Sequence, residues 1–278
     1  MNKVSNPKPL LKWAGGKRQL LPELKNRLPK DFNVYYEPFL GGGALLFDLC
    51  PQKAVINDLN SELANMYEVI KKSPAELCEL LSIHQNNHSK EYYYQVRNID
   101  RMNHYNELSS IEKAARIIYL NRTCYNGLYR VNKKGFYNTP IGRYKSPKIL
   151  DEENIYAIHE YFTRVDIQIL NENYQMAVLQ ANEGDFIYFD PPYDTTDEVN
   201  SFIDYTKDGF DREEQRNLKE LCDQLSEKNI KWMVSNANTD FIRNLYDGYI
   251  VEDIQAKRMI NSKAFSRNDA TEVIIRNY

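Results

Sequence analysis

Val34-Tyr35-Tyr36-Glu37-Pro38-Phe39-Leu40-Gly41-Gly42-Gly43-Ala44-Leu45-Leu46-Phe47-Asp48-Leu49 reads as strand, glycine loop and helix in direct succession. A glycine loop that opens a helix exposes backbone N–H groups and lets a ligand approach the main chain, which makes a nucleotide-sized site. Gly41 and Gly43 match the first two glycines of the dinucleotide fingerprint, but the third position is Leu46, so a pyrophosphate cofactor is disfavoured. The next strand, Ala54-Val55-Ile56, ends at Asn57-Asp58. An acid closing the second strand of such a unit typically accepts from ribose hydroxyls. Together these features point to an adenosine-containing cofactor without a pyrophosphate, a description that S-adenosylmethionine fits.

Upstream, residues 10–17 run Leu-Leu-Lys-Trp-Ala-Gly-Gly-Lys ahead of a helix expected over 19–28. The glycine pair allows close approach to a ligand, Trp13 can cover it, and Lys17 can meet a carboxylate. An ordinary glycine turn is the plain alternative. A candidate carboxylate lies far along the chain, in Phe186-Ile187-Tyr188-Phe189-Asp190-Pro191-Pro192-Tyr193. Residues 186–189 are uncharged, aromatic and β-branched, as a buried strand requires, and the two prolines end it. Asp190 is thereby held at the carboxyl end of a strand, where open α/β sheets place their chemistry. Carboxylate, proline carbonyls and the Tyr193 ring together suit a planar group with an exocyclic amine, which can donate while its ring stacks. Asp-Pro is also common turn chemistry, so this turn alone leaves both readings open.

At 278 residues the chain has room for one large domain or two moderate ones. No apolar run approaches a membrane span and residues 1–12 lack an apolar signal core, so a cytoplasmic location is expected. Cys50, Cys78, Cys124 and Cys222 are scattered, without the paired spacing of a zinc site or a disulfide framework. His84 and His88 lie four apart, but with no third ligand nearby they read as surface or capping histidines rather than a metal site.

Residues 61–122 read as mostly helical: an amphipathic helix over 61–72, then capping boxes at Ser73-Pro74-Ala75-Glu76 and Ser109-Ser110-Ile111-Glu112. Residues 113–150 hold nine Lys or Arg and no Asp or Glu, which leaves −12 on the remainder of a chain whose net charge is −3. Such segregation marks a polyanion-binding face on an otherwise acidic protein. Within it, alternation around Asn132-Lys133-Lys134-Gly135 predicts a basic β-hairpin suited to groove entry, where Arg can read guanine, Lys can hold phosphate and an aromatic can wedge between bases. Helices are expected over 151–163 and 211–227, and strands over 231–236, 249–254 and 272–276. The run after Asp194 is polar, and residues 257–267 form a basic loop.

Four separated pieces, Lys12 to Lys17, Glu37 to Gly43, Asp58 and Asp190 to Tyr193, resemble in order and spacing the Dam-type DNA adenine-N6 methyltransferases of the α class. Residues 125–144 resemble the recognition hairpin of members that methylate GATC. The resemblance implies a Rossmann-like, S-adenosylmethionine-dependent α/β sheet with helices on both faces, formed by residues 1–60 and 155–278, and an inserted helical target-recognition domain, residues 61–154, carrying the hairpin. It implies that Trp13, Lys17, Glu37, Phe39, Gly41, Gly43, Asp58 and Asp190 serve the cofactor, and that Asp190, Pro191, Pro192 and Tyr193 serve catalysis. Tyr125, Asn126, Leu128, Arg130, Lys133, Lys134, Pro140 and Arg143 would contact double-stranded DNA. The implied reaction methylates N6 of a flipped-out adenine, with neither metal nor membrane, and with a restriction endonuclease for the same site as a possible partner that forms no stable complex. The alternatives are the same chemistry on another adenine site, cytosine N4 or RNA, or a DNA-binding regulator that keeps the fold. The intact catalytic turn opposes the regulator; the missing third glycine and the basic hairpin oppose a nicotinamide oxidoreductase.

Overall fold

The computed structural model describes residues 6–194, 210–254 and 272–278. The polar run after Asp194, Phe202, Tyr205 and the basic loop over 257–267 lie outside the described residues. In chain order the elements are α1 (Leu21–Lys25), β1 (Tyr35–Glu37), α2 (Ala44–Leu49), β2 (Lys53–Asn57) and the helices α3 (Ser61–Lys72), α4 (Pro74–Asn86), α5 (Lys90–Asn98), α6 (Ser110–Thr123) and α7 (Glu152–Arg164). They continue with β3 (Asp166–Leu170), α8 (Tyr174–Ala177), β4 (Phe186–Phe189), α9 (Arg212–Glu227), β5 (Lys231–Ala237), α10 (Asp240–Leu245), β6 (Ile250–Ile254) and β7 (Glu272–Arg276).

The seven strands follow the order β3-β2-β1-β4-β5-β7-β6. β1 pairs in parallel with β2 and β4, and β4 with β5, while β7 runs antiparallel to both β5 and β6. Chain order reverses between β1 and β4, so these strands flank the topological switch point where doubly wound sheets take ligands. Glu37 ends β1, and Asp190 immediately follows β4.

Two compact units divide the chain. One comprises residues 1–16, 40–52 and 57–172, with helices α2 to α7. Its interior is built from Leu63, Tyr67, Ile70, Leu77, Leu81, Ile117, Ile118 and Phe162, on faces spaced at three and four residues. The other comprises residues 17–39, 53–56 and 173–278. Its core joins Tyr36, Ile187, Phe189, Trp232, Val234, Val273 and Ile275 of the strands to Leu218, Cys222 and Leu225 of α9. Among the described residues no helix is long and apolar enough to cross a membrane.

Several local expectations are corrected. The helix over 19–28 is a 3-10 turn (Lys17–Gln19) followed by the short α1, whose second residue, Pro22, has no N–H to bond backwards. The Ser109 capping box forms with Glu112, but Ser73 makes no side-chain cap. Ser73 already closes α3 through its N–H on the Val69 carbonyl, and its backbone (φ −139°, ψ 53°) is held there rather than in a capping geometry. His84 and His88 are half-buried and bonded to tyrosines rather than acting as caps. His84 Nδ1 lies 2.9 Å from the Tyr92 hydroxyl and its ring stacks on Tyr119, while His88 Nδ1 lies 2.9 Å from the Tyr119 hydroxyl. Burial pushes the His84 pKa down to about 4. No cluster of three metal-binding side chains occurs among the described residues.

Candidate active site

β4 is buried along its whole length and in register with β5, Tyr188 opposite Met233 and Phe189 opposite Val234. That pairing brings Ser235 beside the first residue of the turn. Asp190 Oδ1 receives two contacts, from Lys17 Nζ at 2.8 Å and from the Ser235 hydroxyl at 2.8 Å. Ser235 Oγ in turn lies 3.0 Å from the Tyr188 hydroxyl. The Asp190 side chain keeps 18% of its surface. Burial raises its pKa, and the Lys17 ammonium and the Ser235 hydroxyl pull it back only in part.

The rest of the turn is tied from behind. Gln215 of α9 donates to the Pro192 carbonyl at 2.8 Å and accepts from Asn236 Nδ2 at 3.0 Å. Asn236 Oδ1 accepts the Asp194 N–H. Gln215 and Asn236 are both buried. The Tyr193 hydroxyl donates to Glu272 Oε2 at 2.9 Å, and Lys17 Nζ sits 4.5 Å from the centroid of the Tyr193 ring. Burial and the neighbouring Asp190 charge push the Tyr193 phenol well above its ordinary range, so it stays a donor at every physiological pH. Because Pro192 O is occupied by Gln215, Pro191 offers the carbonyl of this pair that carries no such bond.

The glycine loop has its own frame. Gly41 (φ +51°) and Gly43 (φ +68°) are left-handed, a conformation glycine adopts without strain, and Gly43 caps α2. A Cβ on Gly41 would meet Trp13 Cδ1 at 2.9 Å, so the indole closes on bare backbone. Gly41 donates to Asp58 Oδ2 and Asn60 to Asp58 Oδ1, each at 2.8 Å. Asp58 therefore braces the glycine loop with Oδ2 and the turn into α3 with Oδ1. Trp13 leans on Tyr129, ring centroids 4.9 Å apart, and the Tyr129 hydroxyl donates to Glu62. An aromatic cover, an open backbone and a carboxylate at the end of the second strand are the donor and acceptor set an adenosine moiety needs. Glu37 is buried and accepts from Tyr35. The half-buried Phe39 ring is stacked on Tyr174.

In the basic segment, Tyr125, Asn126, Leu128, Arg130, Lys133, Lys134, Pro140 and Arg143 are all exposed, while Cys124, Gly127, Tyr137 and Thr139 between them are buried. The expected hairpin forms its turn, with the Gly135 N–H on the Asn132 carbonyl, but not regular strands. It closes by two isolated antiparallel bridges, Val131 with Tyr137 and Cys124 with Ile141. Side chains take the groups a ladder would use. Asn132 Oδ1 accepts from the Lys134 and Phe136 N–H groups, and Asp100 accepts from the Tyr137 N–H. Arg130 Nε donates to Asn138 Oδ1 at 2.7 Å, which holds the guanidinium outward. Arg116 must be taken out of the basic face. Its side chain is 2% exposed and is paired with Glu62 and Asp100 in the interior of its unit.

The sequence reading missed Ser235, Gln215, Asn236 and Glu272. Ser235-Asn236 carried a usable signal, two polar residues ending the buried apolar run Trp232-Met233-Val234. Gln215 carried none, being one polar residue in a strongly charged helix.

A mixed sheet with parallel inner strands, an acid-proline-proline-tyrosine turn after β4 and a glycine loop after β1 defines a class of enzyme. Residues 13–260 match the family profile of the D12 class N6 adenine-specific DNA methyltransferase, and the chain belongs to that family. It is an enzyme that methylates N6 of adenine in DNA, with S-adenosyl-L-methionine as the methyl donor. It is 47% identical over 277 residues to type II methyltransferase M1.LlaDCHI of Lactococcus lactis subsp. cremoris, covering 100% of this chain and 97% of that protein. It is 40% identical over 289 residues to type II methyltransferase M.MjaIII of Methanocaldococcus jannaschii, covering 98% and 99%. The DNA adenine methylase of Escherichia coli strain K12 is 31% identical over 267 residues, covering 95% of this chain and 93% of that one.

Proposed function

We propose that the enzyme methylates adenine in double-stranded GATC after rotating the base out of the duplex. The observation that carries this reading is the state of Asp190: its Oδ1 is loaded by Lys17 and Ser235, so Oδ2 is the oxygen left to accept from an incoming amine. The target ring stacks on Tyr193, and Asp190 Oδ2 with the Pro191 carbonyl accepts the two N6 hydrogens. These acceptors turn the nitrogen lone pair out of the hydrogen-bonded plane and stabilise the positive charge that develops on N6. When bound, S-adenosylmethionine supplies an electrophilic sulfonium methyl. Trp13, Lys17, Glu37, Asp58, Asp190 and the backbone at Phe39, Gly41 and Gly43 are the residues that would hold it. Opening the base pair costs a few kcal/mol, which contacts to the duplex must offset.

For the DNA, Arg130 reads guanine, Leu128 and Pro140 pack on neighbouring bases, Tyr125 supports the opened stack, and Asn126 meets the orphaned partner base. Lys133, Lys134 and Arg143 contact phosphate. Their shared exposure and the likeness of residues 125–144 to the hairpin of GATC-methylating enzymes support this assignment. The same reading divides the chain into a catalytic domain, residues 1–60 and 155–278, and a recognition domain, residues 61–154. The names of two relatives, type II methyltransferases, favour a restriction endonuclease of the same specificity as a functional partner.

Transfer of labelled methyl to matched duplexes containing GATC or GGTC tests the proposal. Label on adenine N6 in GATC alone is expected, with a loss of about a thousandfold or more in Asp190→Ala. Equal labelling of both duplexes would remove the GATC assignment and leave the chemistry. Full activity of Asp190→Ala would remove the assignment of the acceptor.

A further inference from the structure

We propose that Ser235 is a positioning residue of the methyl transfer: its hydroxyl holds one oxygen of Asp190 and so determines which oxygen faces the target amine. The inference rests on the reading of Asp190 as the acceptor of the N6 hydrogens.

An ionised carboxylate can only accept, so the Ser235 O–H that lies 2.8 Å from Asp190 Oδ1 must be donated to it. Ser235 has a single hydroxyl hydrogen. The 3.0 Å contact with Tyr188 is then donated by the phenol to Ser235 Oγ. Burial holds the Tyr188 phenol far above its ordinary pKa, which keeps it protonated and fixes the direction of the chain from Tyr188 to Ser235 to Asp190. A hydroxyl held by a donor behind it and an acceptor ahead of it has one orientation, and the Asp190 carboxyl plane inherits that orientation.

Lys17 touches the same oxygen but is a different kind of partner. Its buried ammonium also lies over the Tyr193 ring, and it supplies the charge that balances the carboxylate. Ser235 is short and buried on the inner strand β5, which is paired with β4 on one side and, through Ser235 opposite Ile274, with β7 on the other. Its position is set by the two strands that flank β5.

The charged and polar groups around Asp190 are Lys17 from the 3-10 turn, Tyr188 from β4, Tyr193 in the turn itself, Ser235 from β5 and Glu272 from β7. Lys17 and Ser235 favour the carboxylate, whereas burial and the Glu272 charge favour the acid. A hydrogen bond to the charged form lowers a carboxyl pKa, so loss of the Ser235 donor raises it.

The test measures kcat against pH, at saturating duplex and S-adenosylmethionine, for wild type, Ser235→Ala, Ser235→Thr and Tyr188→Phe, with thermal unfolding alongside. In Ser235→Ala, kcat is expected to fall about tenfold while KM for duplex is retained, and its acid limb to move to higher pH. Ser235→Thr keeps the hydroxyl and returns both readouts towards wild type. Tyr188→Phe, which removes only the donor behind Ser235, moves the acid limb the same way by less. A Ser235→Ala acid limb that coincides with that of wild type overturns the proposal whatever happens to kcat. Should Ser235→Ala fail to fold, an unshifted profile in Tyr188→Phe overturns it equally. Asp190→Asn separates the two levels: retained methylation there would remove the acceptor reading itself, whereas an inactive Asp190→Asn beside an unshifted Ser235→Ala removes only the role of Ser235.

Discussion

In residues 190–193 the Asp190 carboxylate, the Pro192 carbonyl and the Tyr193 hydroxyl are each tied to a side chain from another element. In residues 125–144 the buried positions are tied and the polar tips are left in solvent, with Arg130 steadied by a neighbour eight residues along its own loop. The first arrangement suits a reaction in which an error of an ångström costs orders of magnitude in rate. The second suits recognition, where donors must meet base edges and phosphates that arrive from outside. Rate and specificity are thus expected to fail separately when the two regions are altered.

The largest effect that would break this separation is sought at Gln215. Gln215→Leu unties the exposed Pro192 and leaves Asn236 Nδ2 buried without its partner, a loss of about 1–3 kcal/mol for that unsatisfied group. Single-turnover rates should drop about tenfold to a hundredfold as the turn loosens. Discrimination between GATC and GGTC should not move, and a change in it would show that the turn contributes to recognition.

Arg130→Ala makes the converse case. Removing a bidentate guanine contact should lower discrimination against duplexes altered at that guanine by about 1–3 kcal/mol. Its maximal rate on GATC should stay close to wild type. A fall in rate without a loss of discrimination would reassign Arg130 to holding the loop through Asn138. The smallest effect belongs to Lys133→Ala and Lys134→Ala. Each should reduce the slope of log affinity against log salt by about one and weaken all sequences alike, measurable by titration at several salt concentrations.

What could be read from the sequence follows the same division. Phe186 to Tyr193 was legible because an uncharged aromatic run stopped by two prolines has few other meanings, and all four strand residues are buried. Helix α3 was legible from its period, down to its ends. The partners of the turn were not, because Gln215 reaches Pro192 across 23 residues and Glu272 reaches Tyr193 across 79, distances that no local pattern encodes. Ser73 shows the limit of motif reading. The residue types of a capping box were present, but one backbone conformation had to end α3 and begin α4. The basic segment was legible in charge and not in detail: Arg116 counts as positive in composition yet lies inside, between Glu62 and Asp100.

That inward arginine separates a buried frame from the exposed positions of the basic segment. Asp100 joins Arg116 to the Tyr137 N–H, Gly127 has no room for a Cβ against Lys12, and Asn121 holds both Lys12 and Gly127. These contacts belong to the folding of their unit, whereas the side chains of the eight positions between and around them are exposed. Directed evolution of new site preferences could therefore randomise 125, 126, 128, 130, 133, 134, 140 and 143 while freezing Asn121, Cys124, Gly127, Tyr137 and Thr139. If these positions read the duplex as proposed, such a library varies specificity while the buried frame stays fixed.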